Sequence, residues 1–263
     1  MSEKLSLAGR VAIVTGGGRG FGRAMTLGLA QAGAAVVATA ARERSEIERV
    51  AAEAGAQGRV LPILADVTKE EDCRRVVAMA LDRFGRLDVL VNNAGRGMKY
   101  VSEQFMTEPT RFWEVAPETW HLVIDTNVVG PFLMARAAVP KMLAAGWGRI
   151  VNVTINAETM RRRGFSPYGP SKAALESETI IWAQDLAGSG VTVNALLPGG
   201  AALTGMIPAS YPDHLRAKLL DPAIMVPPLR WLASTRSDGV TGRRFIATSW
   251  REDSPEAAAE AGW

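Results

Sequence analysis

Along the first hundred residues, short runs of apolar, β-branched side chains alternate with longer stretches in which apolar positions recur at helical spacing. The runs cover 11–15, 35–39, 59–65 and 88–91, and each is apolar nearly throughout. A strand wet on one face alternates apolar with polar residues, so unbroken apolar runs predict strands covered on both faces. The helical stretches between them supply right-handed crossovers, and the series predicts an α/β fold with a doubly wound parallel sheet. Further along, the pattern predicts a long helix over 117–145, a strand at 149–154, a helix at 167–187, a strand at 191–197 and a last strand near 243–247.

No low-complexity linker or fixed-period repeat divides this series, so a single domain over 1–263 is expected. Two stretches break its rhythm. Residues 96–116 are rich in Phe, Trp, Met and charge, and 199–228 mix proline and glycine with apolar residues. Both follow strand ends, where open α/β sheets bind ligands, and both are expected to cover a substrate.

A hydrophobic share of 48% with 22% charged residues excludes a disordered or fibrous chain. Thirty basic against twenty-seven acidic residues leave +3, too little for a concentrated basic face, so no nucleic-acid partner is expected. Cys73 is the only cysteine, which excludes an internal disulfide and a cysteine zinc cluster and points to a reducing cytoplasm. Residues 1–10 alternate in charge, so neither a signal peptide nor a membrane span is expected. His121 and His214 are isolated and imply no metal, and no G-x-S-x-G elbow suggests hydrolysis.

The first run is followed at once by Thr15-Gly16-Gly17-Gly18-Arg19-Gly20-Phe21-Gly22, with a helical pattern from Arg23. In strand–loop–helix context, Gly16 permits a tight turn and Gly20 lets backbone approach a pyrophosphate at a positively polarised helix start. Gly22 lets helix pack closely on strand. A glycine turn that only joins strand to helix is the plainer alternative. The spacing, G-x-x-x-G-x-G, also differs from G-x-G-x-x-G.

With four further stations, the chain resembles the short-chain dehydrogenase/reductase family from Thr15 to about Ala247. The stations are Asp66-Val67, Asn92-Asn93-Ala94-Gly95, Tyr168-x-x-x-Lys172, and Asn194 with Pro198-Gly199. The resemblance implies a single Rossmann-type domain that binds a nicotinamide dinucleotide in a cleft including Gly18 and Phe21. It implies that Asp66 and Val67 flank the adenine, that Asn93 supports the loop reaching Ala94 and Gly95, and that the turn at Pro198 and Gly199 passes the nicotinamide. Thr204 resembles the threonine that meets the carboxamide, one place later than expected.

A carboxylate at the end of the second strand would accept from the ribose of NAD and repel a 2′-phosphate. Here that place holds Ala40 or Ala41, while Arg19 and Arg42 can converge on a phosphate. NADP(H) is favoured and NAD(H) stays possible, with Arg42, Glu43 and Arg44 as a solvated helix start the competing explanation.

Tyr168 and Lys172, four apart on a helix, share one face. An ammonium beside a phenol favours the phenolate and would tune Tyr168 as acid and base. By resemblance, Asn127 holds a water in the proton path to Lys172. The family's carbonyl-binding serine lies thirteen residues before the tyrosine, and here that position is Ile155. Isoleucine cannot donate a hydrogen bond. Either Asn156 or Thr154 takes over the contact, with Asn156 preferred, or the substrate needs no such donor, or the chain is catalytically weakened. Arg161 to Arg163 stand near the expected pocket mouth, where an acidic substrate or plain solvation would account for them.

These readings converge on an oxidoreductase moving a hydride between nicotinamide and a ketone, aldehyde or secondary alcohol. Reduction of an imine or activated C=C bond, or a weakened nucleotide-binding scaffold, are the alternatives. Phe105, Met106, Phe112, Trp113, Met206, Ile207 and Tyr211 in the irregular loops suggest a small-molecule substrate that is apolar and bulky or aromatic, in a partly closed site. The resemblance further implies a homodimer or homotetramer, paired through the helices that flank the fifth strand.

Overall fold

A computed structural model describes residues 5–55 and 59–260; residues 1–4, part of the stretch behind the N-terminal expectation, lie outside the described residues. Seven parallel strands form one sheet in the order β3-β2-β1-β4-β5-β6-β7. They are β1 (Val11–Val14), β2 (Ala35–Ala40), β3 (Val60–Leu64), β4 (Val89–Asn92), β5 (Gly148–Val153), β6 (Val191–Leu197) and β7 (Arg244–Ile246). Each lies within two residues of the run that predicts it.

Helices cover both faces: α1 (Gly20–Gln31), α2 (Arg44–Ala54), α3 (Glu70–Phe84), α4 (Pro117–Ile124), α5 (Gly130–Ala145), α6 (Ala157–Met160), α7 (Tyr168–Asp185), α8 (Asp213–Arg216) and α9 (Val226–Leu232). The alternation of side chains along β1 decides which core each residue joins. Val11 and Ile13 pack with α3, α5 and the end of α7, whereas Ala12 and Val14 pack with α1 and α9. Because both faces are covered, β1, β2, β5 and β6 are buried along their whole length, which is why their sequences are apolar without alternation.

The stretch Pro117–Ala145 is long and apolar enough to span a bilayer, but half of it is buried, and Met134, Ala138 and Met142 belong to the core. It is not one regular helix either. A π turn over Asp125–Val129 separates α4 from α5, and the Gly130 N–H donates to the Asp125 carbonyl five residues back. Pro131, having no N–H, cannot serve the Asn127 carbonyl four residues earlier.

The chain runs from β1 out to β3 and then returns to place β4 on the other side of β1. The loops after β1 and β4 therefore part from each other, and the crevice between them is where open sheets of this kind take ligands. At the opposite edge, the Glu260 N–H donates to the Arg244 carbonyl and Ala259 pairs with Phe245, so the segment after 254 covers β7.

Candidate active site

The loop after β1 turns at Gly16, with φ of 64°, and enters α1 at Gly20, with φ of 50°, conformations that side chains with a Cβ rarely adopt. α1 starts there, three residues ahead of the Arg23 start read from the sequence. A Cβ on Gly22 would overlap the Gly16 carbonyl oxygen. Thr15 and Asn93 lock this loop to the one after β4. The Thr15 hydroxyl accepts from the Asn93 and Ala94 N–H groups, both at 3.0 Å, and Asn93 Nδ2 donates to the Thr15 and Gly16 carbonyls at 2.8 and 3.1 Å.

Between the two loops lies a cleft of about 500 Å³. Gly16, Gly18, Arg19, Gly20, Phe21 and Gly22 form one wall, Asp66 and Val67 lie at the β3 end, and Asn93, Ala94 and Gly95 stand opposite. Ala40, Ala41 and Arg42 close the end beyond β2, together with Glu43 and Glu46, which sequence reasoning did not place there. Arg42 is exposed. Arg19, also exposed, leans on Glu46 at 3.5 Å. Thr204 comes over from the later loop and would sit 3.1 Å from a Cβ on Gly20, so it closes the cleft from above. A glycine-lined crevice at a helix start, with no room for side chains, fits a dinucleotide phosphate chain.

Pro198 and Gly199 lie outside that cleft. Gly199 adopts φ of 91°, and a Cβ there would overlap the Thr248 hydroxyl. Its carbonyl accepts from Asn156 Nδ2 at 3.2 Å, which ties the turn after β5 to the turn after β6.

Tyr168 opens α7 and Lys172 follows one turn later. Ser171 Oγ donates to the Tyr168 carbonyl at 2.7 Å and accepts from Asn127 Nδ2 at 2.9 Å. The fully buried Asn127, on the π turn, also accepts from the Arg96 N–H at 2.8 Å and donates to the Arg96 carbonyl at 2.9 Å. Lys172 is buried, and its ammonium donates to the Val153 carbonyl at 2.8 Å. Burial lowers its pKa to about 8, with the Glu176 carboxylate one turn further along α7 pulling the other way. Tyr168 is half-buried against Met98, Phe105 and Phe165. Desolvation pushes its phenol well above the ordinary tyrosine range, opposite to the phenolate expected from a neighbouring ammonium.

Position 155 is held from behind. The Ile155 carbonyl accepts from Arg244 Nη2 at 2.8 Å, and Arg244, fully buried on β7, also bonds Glu176 at 2.7 Å and pairs with Glu260. Thr154 is buried with no partner for its hydroxyl among the described residues. From the sequence, Arg96, Glu176 and Arg244 carry no site role, and Ser171 reads as a helix residue and not a nucleophile. Two charges opening the strand run 243–247 were the available signal for Arg244, of which Arg243 is exposed and Arg244 buried. The irregular loops meet where Met206 approaches Gly97. Phe105 is buried beside Tyr168, whereas Phe112 and Trp113 stack edge to face on each other and stay two-thirds exposed, away from the pocket. Arg161 to Arg163 are all exposed.

The sequence model of the short chain dehydrogenases matches residues 10–214. The chain belongs to the short-chain dehydrogenase/reductase family. Among its curated relatives is a 3-oxoacyl-[acyl-carrier-protein] reductase of Synechocystis, 37% identical over 74% of this chain and 75% of the relative. A reductase of the same description from Thermotoga maritima is 31% identical over 91% of this chain and 96% of its own. Among solved structures, a Brucella melitensis 3-ketoacyl-(acyl-carrier-protein) reductase complexed with NADH superposes with a TM-score of 0.79 at 33% identity, over 90% of this chain and 96% of that one. A Beutenbergia cavernae protein with bound NADP, provisionally assigned as an NAD(P)-dependent gluconate 5-dehydrogenase, gives 0.79 at 32% identity over 93% and 97%. As a family member, the chain is an oxidoreductase with a nicotinamide cofactor on a Rossmann-type sheet.

Proposed function

We propose that this family member is an NADP(H)-preferring reductase of ketones and aldehydes, reversible on secondary alcohols, with Tyr168 as its acid and base. The reading rests on the hydrogen-bonded cluster that joins Tyr168, through its carbonyl, to Ser171 and Asn127, with Lys172 one turn away on the same helix. When bound, the dinucleotide supplies or takes the hydride. A phenol kept protonated at neutral pH is suited to donate to a carbonyl oxygen as that hydride arrives. Lys172, one turn further along α7 and held by the Val153 carbonyl, is the proposed source of the proton returned to Tyr168. Asn156, which follows β5 and spends one N–H on Gly199, keeps the other as the donor that Ile155 lacks. The 3-oxoacyl reductases among its relatives support a carbonyl substrate.

Because Ile155 offers no donor, reduction of an imine or activated C=C bond is the second reading. Parallel NADPH-consumption assays on ketone, aldehyde and imine panels separate the two.

The cofactor preference is supported by Ala40 and Ala41 at the end of β2 and by Arg19 and Arg42 on the cleft rim. Glu43 and Glu46 share that rim, but an exposed ion pair as long as that of Arg19 with Glu46 is weak, and a phosphate displaces it at little cost. Calorimetry should find NADPH bound more tightly than NADH. Arg19→Ala should narrow that difference about tenfold or more, since a charge-assisted phosphate contact contributes roughly 1.5–3 kcal/mol. Equal affinities in the unmodified protein would remove the preference. We further propose assembly as a homodimer or homotetramer through the α4–α5 limb and α7, where Phe132, Leu143 and Ile181 are exposed.

A further inference from the structure

Arg96 follows the loop after β4, and its backbone clamps Asn127 through both its N–H and its carbonyl. Its side chain runs into the wall of the cleft. Nε donates to the Thr126 hydroxyl at 3.1 Å and the guanidinium lies 4.7 Å over the Tyr100 ring, while the residue as a whole is only 9% exposed. Among the described residues, no carboxylate lies within ion-pair distance of it, and neither Nη nitrogen has a hydrogen-bond partner. Other deeply buried arginines of this chain are neutralised: Arg149 pairs with Asp238, and Arg244 with Glu176 and Glu260.

The two Nη atoms are not sealed off by the protein and stand as unspent donors open to the cleft, where an anion can take them up. The cleft wall that holds Arg96 also holds Gly16, Gly18 and Gly20, whereas Ile155, Asn156 and Tyr168 do not line it. That points to an anion of the dinucleotide and not of the substrate. We infer that Arg96 is a cofactor-binding residue whose guanidinium takes an oxygen of the dinucleotide's diphosphate. The same residue then ties cofactor to catalytic cluster, since its side chain meets the phosphate and its backbone fixes Asn127.

The inference rests on the cleft being a dinucleotide site. It is tested on the full chain by calorimetry with NADH, NADPH and ADP-ribose, comparing the unmodified protein with Arg96→Met and Arg96→Lys. Arg96→Met should weaken all three ligands alike, about tenfold to a hundredfold, and leave the NADPH to NADH ratio unchanged. Arg96→Lys should fall between. In thermal unfolding, the increment given by saturating NADH should shrink in Arg96→Met. Unchanged NADH and ADP-ribose affinities would overturn the assignment, as would a loss confined to NADPH, which would put Arg96 at the 2′-phosphate. A lower ligand-free midpoint with an undiminished NADH increment would make Arg96 a structural residue only. If the unmodified protein bound none of the three ligands, the cofactor reading itself would fall; binding there, with equal binding by Arg96→Met, sinks this inference alone.

Discussion

Tyr168 concentrates the proposed chemistry in one hydroxyl, and its packing against Met98, Phe105 and Phe165 keeps that hydroxyl protonated. If it supplies the proton, Tyr168→Phe should lower turnover by ~10²–10⁴-fold while NADPH affinity stays nearly unchanged. Full turnover in that variant would refute the mechanism. At the neighbouring position, Ile155→Ser should raise ketone turnover, since one well-placed donor contributes about 3 kcal/mol to a developing oxyanion. Asn156→Ala should cost activity, and Ile155→Ser in the same chain should restore much of it; steady-state kinetics of the three variants checks both. Tyr168, Lys172 and the glycines were legible in the sequence because each answers to a local spacing. Arg96 and Arg244 were not, because what matters about a buried arginine is its partner. Glu176 is 68 residues away from Arg244, and Arg96 meets Thr126 and Tyr100 with no carboxylate at ion-pair distance among the described residues.

Among the elements, α7 carries the most function per turn, with Tyr168, Lys172 and Glu176 on successive turns. The Glu176 carboxylate favours the charged form of Lys172, whose pKa lies near 8. If the ammonium resupplies the proton, carbonyl reduction should decline as pH rises through about 8. Glu176→Gln removes the favourable charge while Arg244 keeps its pairing with Glu260, so the ammonium is disfavoured and the alkaline limb should move to lower pH. A limb that stays in place in a pH–rate profile would separate Lys172 from the rate-limiting proton transfer. The helical pattern over 117–145 was read correctly as helical, but the π turn at Asp125–Val129 was not foreseen. Periodicity reports which residues face the core. A one-residue slip of hydrogen bonds is decided by what the side chains find in space, here Asn127 caught between Arg96 and Ser171.

At the scale of the whole molecule, the doubly wound parallel sheet was legible in the alternation of apolar runs and helices, because right-handed crossovers leave few arrangements open. The strand order comes from the structure. Its consequence is that residues from every part of the chain meet along one crevice. What remained hidden is surface fate: Phe112 and Trp113 look from the sequence like pocket walls yet stand in solvent. The exposed Phe132 and Leu143 on α5 and Ile181 on α7 call for cover of another kind. Light scattering at micromolar concentration should find a dimer or tetramer, and Phe132→Glu should shift it toward monomer. A monomer for the unmodified protein would contradict the proposed assembly.

The pairing of Glu260 with Arg244 also has a meaning in the order of synthesis. Every residue that lines the glycine cleft has been made once the chain reaches Met206, although α1, which carries the glycine loop, packs on the later α9. The strut behind Ile155 begins only with Arg244 and is completed when Glu260 reaches it. In the order of synthesis, the lining of the cofactor cleft is therefore complete well before the support of the catalytic turn.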